Sequence, residues 1–599
     1  MKISSFDAIF HSTKSTFTRF PLQVIAVLLA MAACFFTIHM DSQPASTDKY
    51  LKLALICNVA FVALMAADLY AAVNDWKPVK QWVLRILVVA FSVALYYSLE
   101  PELYIADRFK VFFVIIAMHL LVSYSAFLHQ GTLGSFWEFN KILLLRILTA
   151  GFYAAVLFAG LSVALVAIDQ LFNANVNSKV YLDLLTLTGI GFTAFFFMAG
   201  VPSDFKTLHT SEPVYPKGLK VFTQYVLIPL MLVYLAILLF YEITILVSWK
   251  LPKGTVSMLI LSYAVVGLLC VLLVFPIKER AENRWLMRFS KFIFVMMIPL
   301  LVLLVLAIWA RIRHYGITEP RYILIVLAIW LSIITVYFLV STRHNIRIIP
   351  ISLSVLALLA TFGPQSASNV SSYSQLKRLN KYNQARNKEG MLEKRHIVQY
   401  LVSHHGLNSL QPFAKVNLQG IESSIRRDSV SSYSRYMMTT KMVDTAYYIF
   451  KVNKPELELK GTRRQLIFVV DKKSPLAVKG YDYMIPLGDT TPIQLAIDSQ
   501  VVSVSQAKRN TLSVKIGQQV PLLVDVQGLV KDTESAFLQG EFRSRINEDY
   551  YQVPGNSMVK TIETAQYKLQ LVMTELFLGV NSNLKDDYTY RGYLLIKIK

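Results

Sequence analysis

The first 363 residues alternate between long apolar runs and short polar connectors, and the pattern then changes abruptly. Eleven runs stand out, at 21–39, 52–73, 82–99, 109–128, 142–168, 180–201, 221–248, 255–276, 289–310, 321–341 and 347–363. About 20 apolar residues cross the roughly 30 Å hydrocarbon core of a bilayer. Backbone polar groups in lipid must be bonded within the segment, so these runs predict helices. The last run is the shortest, and the fifth and seventh are long enough to tilt. The first run contains Ala30-Met31-Ala32 and Ala32-Ala33-Cys34, which resemble cleavage sites of exported proteins. Phe35, Phe36 and Ile38 carry the apolar run past both, so a retained span is the better reading.

Pro364 ends the last helix. A serine-rich stretch, 365–374, reads as a linker. In 375–445, Leu376, Leu379, Met391, Leu392, Ile397, Val398 and Leu401 recur at helical spacing with Lys and Arg between them. From 446 to 599 the pattern is that of strands. β-Branched and aromatic residues fill 447–452, 465–470, 481–487, 493–497, 501–504, 511–516, 520–526, 567–578 and 592–598, punctuated by Gly, Pro, Asn and Asp. The expected architecture is therefore a polytopic α-helical membrane bundle of about 11 spans, 21–364, after a cytoplasmic segment, 1–20. A C-terminal soluble α+β region rich in antiparallel strand follows, as a sheet or sandwich.

Composition agrees. Of 599 residues, 55% are hydrophobic and 16% charged, with mean hydropathy +0.47. That excludes an ordinary soluble enzyme, a disordered chain and a disulfide-stapled secreted scaffold. Cys34, Cys57 and Cys270 all lie in apolar runs and form no framework or metal-binding spacing. The net charge of +22 suits loops held against anionic lipid; no compact basic block points to nucleic acid.

Lys and Arg placement sets orientation. With a cytoplasmic N-terminus, the inner segments carry 17 Lys and Arg and the outer loops 10, the strongest contribution being 278–291. An odd span count then places the C-terminus outside, in the periplasm of a bacterial cell with the chain in the inner membrane. Trp76, Trp82, Trp137, Trp249, Trp285 and Trp309 sit near predicted edges, as interfacial anchors do, and Trp330 lies mid-span.

Ionisable groups inside spans are functional candidates by default. Here they are Asp68, His119, Arg146 and Glu242. Asp68, His119 and Glu242 suit an ion or proton relay; equally, Asp68 paired with Arg146 would simply neutralise both. Two predicted outer loops are more distinctive, 249–254 and 315–322. In the second, Thr318 or Glu319 suits a helix cap, Pro320 a first turn and Gly316 a tight reversal. Capping does not require Arg311, Arg313 or Arg321. With Glu319 and Lys253 these make a charged outer rim, suited to a phosphate headgroup or to docking the C-terminal region. His404 and His405 are metal-ligand types, but neighbours leave a helix about 100° apart and no ligand set accompanies them. No catalytic or cofactor motif is present, so no catalytic residue, metal or cofactor is assigned. The C-terminal region, with 32 Lys and Arg against 21 Asp and Glu, is a solvated surface near anionic headgroups or a face for an envelope protein or acidic glycan.

The motifs LPKG at 251–254, NRW at 283–285, YGITEPRY at 315–322 and FGP at 362–364 occur in order, with Gly480-Tyr481-Asp482-Tyr483 further on. On these the chain resembles the bacterial multi-pass membrane family known as domain of unknown function 4153, of Bacteroidota type. The resemblance implies a membrane protein with an added C-terminal domain and supplies no activity. The expected role is non-enzymatic: envelope sensing, assembly or partner binding. An ion-coupled transporter and an enzyme acting on lipid-linked phosphates are the alternatives.

Overall fold

The computed structural model describes residues 16–40, 44–210, 213–248, 255–278, 283–341, 344–384, 387–429, 435–452, 464–470, 478–487, 493–497, 500–508, 511–538, 544–545, 550–554, 557–580 and 588–599. Two compact units divide it, Met1–Val452 and Asn453–Lys599.

In the first unit every predicted run is helical: α1 (Pro21–His39), α2 (Pro44–Val73), α3 (Pro78–Ser98), α4 (Ile105–Ser125), α5 (Leu133–Phe172), α6 (Ser178–Ala199), α7 (Lys217–Ile245), α8 (Thr255–Val274), α9 (Arg284–Tyr315), α10 (Glu319–Val340) and α11 (Ile348–Thr361). Among the described residues, nine are long and apolar enough to cross a membrane. The other two are α4, with Asp107, Arg108 and Lys110 in its first turns, and the 14-residue α11. α11 packs along α4, where Ser354 donates to the Ala117 carbonyl at 3.0 Å.

The connectors sort onto two ends. At the end nearer the N-terminus, Arg19 donates to the carbonyls of Val201 (2.8 Å) and Pro202 (2.6 Å). There too Arg347 donates to Phe127 (3.1 Å) and Gly131 (2.5 Å), and Lys141 to Val214 (2.8 Å). At the far end, His39 meets Asp183 at 2.9 Å, Lys52 meets Glu102 at 3.5 Å, and the Tyr322 hydroxyl donates to the Gln365 carbonyl at 2.6 Å.

Four further helices follow, α12 (Ala367–Tyr382), α13 (Lys388–His405), α14 (Leu418–Ser429) and α15 (Arg435–Ile449). They close a core of Leu379, Ile397, Val398, Leu401, Leu410 and Leu418. Leu103, from the α3–α4 connector, joins it. The serine-rich stretch is not a linker: it is the start of α12, capped where the Ser366 side chain accepts from the Asn369 amide. The strand expected at 447–452 is instead the end of α15, through Ile449, and the turn after it, because Ala446 and Tyr447 on the helix and Phe450 and Val452 beyond it are buried in that core.

The second unit holds β1 (Arg464–Val470), β2 (Tyr483–Leu487), β3 (Ile493–Ile497), β4 (Gln500–Lys508), β5 (Thr511–Ile516), β6 (Leu522–Asp525), α16 (Val526–Leu538), β7 (Ser544–Arg545), β8 (Tyr550–Val553), β9 (Val559–Glu563), β10 (Tyr567–Val580) and β11 (Tyr588–Ile598). One sheet runs β2-β11-β10-β1-β8-β7 with β9 also on β10; the other runs β3-β4-β5-β6. All pairs are antiparallel except β1 with β8. Inward residues of both sheets and of α16 share one core, including Phe468, Val504, Leu529 and Leu594. At Gly592 a Cβ would lie 2.0 Å from the Val572 carbonyl oxygen, so the close β10–β11 approach beside the bulge at Met573–Glu575 requires glycine.

Candidate functional site

The YGITEPRY segment joins α9 to α10 and lies under α12 and α13. Gly316 turns the chain at φ +67, where a Cβ would meet Arg378 Cδ at 2.6 Å. The loop backbone is held from α12. Gln375 Nε2 donates to the carbonyls of Tyr315 (3.1 Å) and Ile317 (3.0 Å), and Arg378 donates to Tyr315 (2.8 Å). Ser374 Oγ accepts from the Ile317 amide at 2.9 Å. Arg378 is itself held by Glu393 of α13 at 2.6 Å.

Glu319 is fully buried beneath this layer. Its Oε2 accepts a short hydrogen bond from the Tyr400 hydroxyl, which also bonds Ser371 Oγ at 2.5 Å. His404 Nδ1 lies 3.0 Å from Oε2 and His405 Nε2 3.2 Å from Oε1, with Ser368 against the other His405 nitrogen at 3.3 Å. These are ion-pair separations without the alignment of linear hydrogen bonds. An ionised carboxylate only accepts, so the facing ring nitrogens carry the protons. Burial first, and the Glu319 carboxylate second, push the Tyr400 phenol up, keeping it a donor. The neighbouring histidines, expected to diverge, therefore converge on one group: the carboxylate enters between them, and each uses a different ring nitrogen. Thr318 is the N-cap of α10 by backbone position, but neither it nor Glu319 makes a side-chain cap. The Glu319 carboxylate is directed into the extramembrane helices instead.

A second contact ties the same helices to the α3–α4 connector. The buried Glu422 accepts from the Tyr104 hydroxyl in a short bond and from the Asn408 amide at 2.8 Å, and Arg426 pairs closely with Glu100. Burial and then Glu422 push the Tyr104 phenol up.

The remaining rim residues divide. Arg321 closes its own loop, donating to the carbonyls of Gly316 (2.9 Å) and Tyr315 (3.2 Å) over the Tyr315 ring. Arg311 and Arg313 are exposed near the end of α9, outside the buried contact. Lys253 lies outside the described residues.

The intramembrane candidates are not brought together. Asp68 pairs with Arg85, not Arg146: Arg85 Nε donates to Oδ1 at 2.8 Å and Nη2 to Oδ2 at 3.2 Å. Gln23 (2.8 Å) and Gln81 (3.3 Å) complete this buried network among α1, α2 and α3. Arg85 falls near the start of the predicted run 82–99; α3 begins earlier, at Pro78, and carries Arg85 across from Asp68. Arg146 packs on Gly200 and over Phe196, 5.7 Å from the ring centre. Glu242 is half-buried on α7 and its Oε2 has no hydrogen-bond partner among the described residues. His119 borders a cavity of about 510 Å³ among α1, α2, α4, α5 and α6, which Asp68, Arg146 and Glu242 do not line. No group of three His, Cys, Asp or Glu among the described residues is arranged to hold a metal ion.

Fold and contacts define a multi-pass α-helical membrane protein whose extramembrane helices are clamped to connectors at one end, with a separate β-rich unit after them. The chain belongs to the family described as domain of unknown function (DUF4153), whose model matches residues 23–405. The match runs from α1 to the last residue of α13, so it includes Glu319 and all three side chains that hold it. Comparison with curated proteins and with solved structures found no match.

Proposed function

We propose that the chain is a non-catalytic protein of the bacterial inner membrane. Its N-terminus lies in the cytoplasm, and its extramembrane helices and β-rich unit work in the periplasm as a binding platform for an envelope partner. The observation that carries this reading is the Glu319 contact. A fully buried carboxylate from a membrane helix, closed over by Tyr400, His404 and His405, fixes the extramembrane helices to the membrane region. The Lys and Arg distribution supports the orientation, and alternation of the eleven helices supports a C-terminus opposite the N-terminus. At that rim the exposed Arg311 and Arg313 meet anionic headgroups. Arg321, engaged by its own loop, makes a poor phosphate clamp, which weighs against an enzyme of lipid-linked substrates. Transport through Asp68, His119 and Glu242 lacks support too, since Asp68 is neutralised by Arg85 and the cavity beside His119 is lined by neither Asp68 nor Glu242.

Two measurements test this. Alkaline phosphatase fused after Lys599 should be active and a fluorescent protein there dark; the reverse overturns the orientation. Cells lacking the gene, complemented by full-length chain or by residues 1–452, should differ in envelope integrity under detergent stress. Equal rescue would remove the β-rich unit from the function.

A further inference from the structure

The cavity beside His119 has the features of a ligand site. Its volume, about 510 Å³, falls in the range of small-molecule pockets. Its wall is mainly apolar, with Val62, Leu143 and Phe197 among the lining residues. On one side α6 is wound as a π-helix over Thr186–Phe192, a local widening frequent at functional sites.

The polar groups in the wall define the ligand. Ser123 and Asn140 satisfy each other: Ser123 Oγ donates to Asn140 Oδ1 at 2.5 Å, and Asn140 Nδ2 donates to the Ser123 carbonyl at 3.1 Å. His119 Nδ1 lies 2.8 Å from the Ile115 carbonyl. A carbonyl only accepts, so Nδ1 donates to it, and an imidazole whose one ring proton is on Nδ1 offers Nε2 as an acceptor. The Asn58 amide also lines the cavity. No Lys, Arg, Asp or Glu does. A phosphate or ammonium head would enter this wall without a counter-charge, which a low-dielectric site strongly disfavours. A hydroxyl, by contrast, can donate to His119 Nε2 and accept from Asn58. Along the wall, Ile147 is 45% exposed and the adjacent Leu148 59%, so that edge opens onto the lipid-facing surface.

We propose that this cavity binds a neutral lipid with a single hydroxyl head, the hydroxyl on His119 and Asn58 and the chain leaving past Ile147. The test uses the full-length protein in nanodiscs of phosphatidylethanolamine and phosphatidylglycerol. The probes are a diacylglycerol and a phosphatidylglycerol, each with a diazirine at the same acyl position, and cross-links are mapped by peptide mass spectrometry. The diacylglycerol probe should label cavity residues of α2, α5 and α6 about tenfold more than the phosphatidylglycerol probe. Both should label the lipid-facing Phe152 and Val163 equally. His119→Leu should lower cavity labelling about fivefold, the factor of one neutral hydrogen bond, without changing the lipid-facing labels. Ala194→Phe should block entry; the unchanged lipid-facing pattern identifies a folded variant. Competition by unlabelled diacylglycerol or by a polyprenol assigns the chain type, and either supports the proposal. Equal cavity labelling by the two probes, wild-type labelling in His119→Leu, or competition by neither lipid overturns it.

Discussion

Glu319→Ala should release α13 from the membrane anchor while leaving α14 attached. The side chain is fully buried and takes one short hydrogen bond and two histidine contacts. Leaving a buried donor without its acceptor costs about 1–3 kcal/mol. The upper end applies here, because three side chains lose the same carboxylate, although Tyr400 keeps Ser371 and His405 keeps Ser368. At about 3 kcal/mol, with ~1.4 kcal/mol per factor of ten, the opened population of α13 rises about 100-fold. Glu319→Gln keeps an acceptor for Tyr400 but loses the charge, so it should fall roughly midway on the logarithmic scale. Hydrogen exchange of the full-length protein in nanodiscs reads this directly, because local opening sets amide protection. Peptides from 391–405 should exchange about 100-fold faster in Glu319→Ala. Peptides from 418–429 should hold their protection, since Glu422 and Arg426 keep their own anchors at Tyr104 and Glu100. Unchanged protection at 391–405 would refute the clamp. Equal loss in both segments would mean that the extramembrane core unfolds as one and that the contact is not local.

Other substitutions test separate parts of the argument. Asp68→Leu or Arg85→Leu alone should cost about 3–5 kcal/mol by stranding the partner charge, whereas the double variant should approach wild-type thermal stability in detergent. Gly316→Ala, forced to a left-handed backbone against Arg378, should weaken the loop contact by about 1–2 kcal/mol, read as faster exchange in 391–405. Gly592→Ala should open the β10–β11 pair by about 1–3 kcal/mol through its clash with Val572, speeding exchange of 567–580 and sparing the helices.

The helices of the first unit were legible because lipid imposes one solution on a long apolar run, and even the charged start of α4 does not disturb it. Strand alternation marks β1, β5 and β10 equally well. What misleads is composition without face. Residues 447–452 are aromatic and β-branched, yet burial of Ala446 and Tyr447 on the helix and of Phe450 just beyond it suits the core better. In α16, Val526, Leu529, Val530 and Thr533 recur at helical intervals and bury together, a signal masked by the strand that precedes them. The site was half legible. The residue types and the turn at 315–322 single out Glu319, but its partners lie 81 to 86 positions on, a pairing that no local pattern encodes. Arg85 lies inside the run 82–99 but close to its start, where it reads as an edge charge of the cytoplasmic side; the earlier start of the helix at Pro78 is what makes it a buried one.

Asp68 and Glu319, both buried, differ in what they join. Asp68 is satisfied by Arg85, Gln23 and Gln81, all carried by membrane helices at the end near the N-terminus. Its network fixes α1, α2 and α3 to one another and adds nothing beyond the membrane region. Glu319 sits at the other end and takes every side-chain partner from α13, in the extramembrane helices. A shift of α13 strips a buried charge of its donors, and a shift of α10 does the same from the other side. The penalty is identical in both directions, so neither element moves without disturbing the other. That reciprocity is what a platform needs if an event on its surface is to be felt in the membrane.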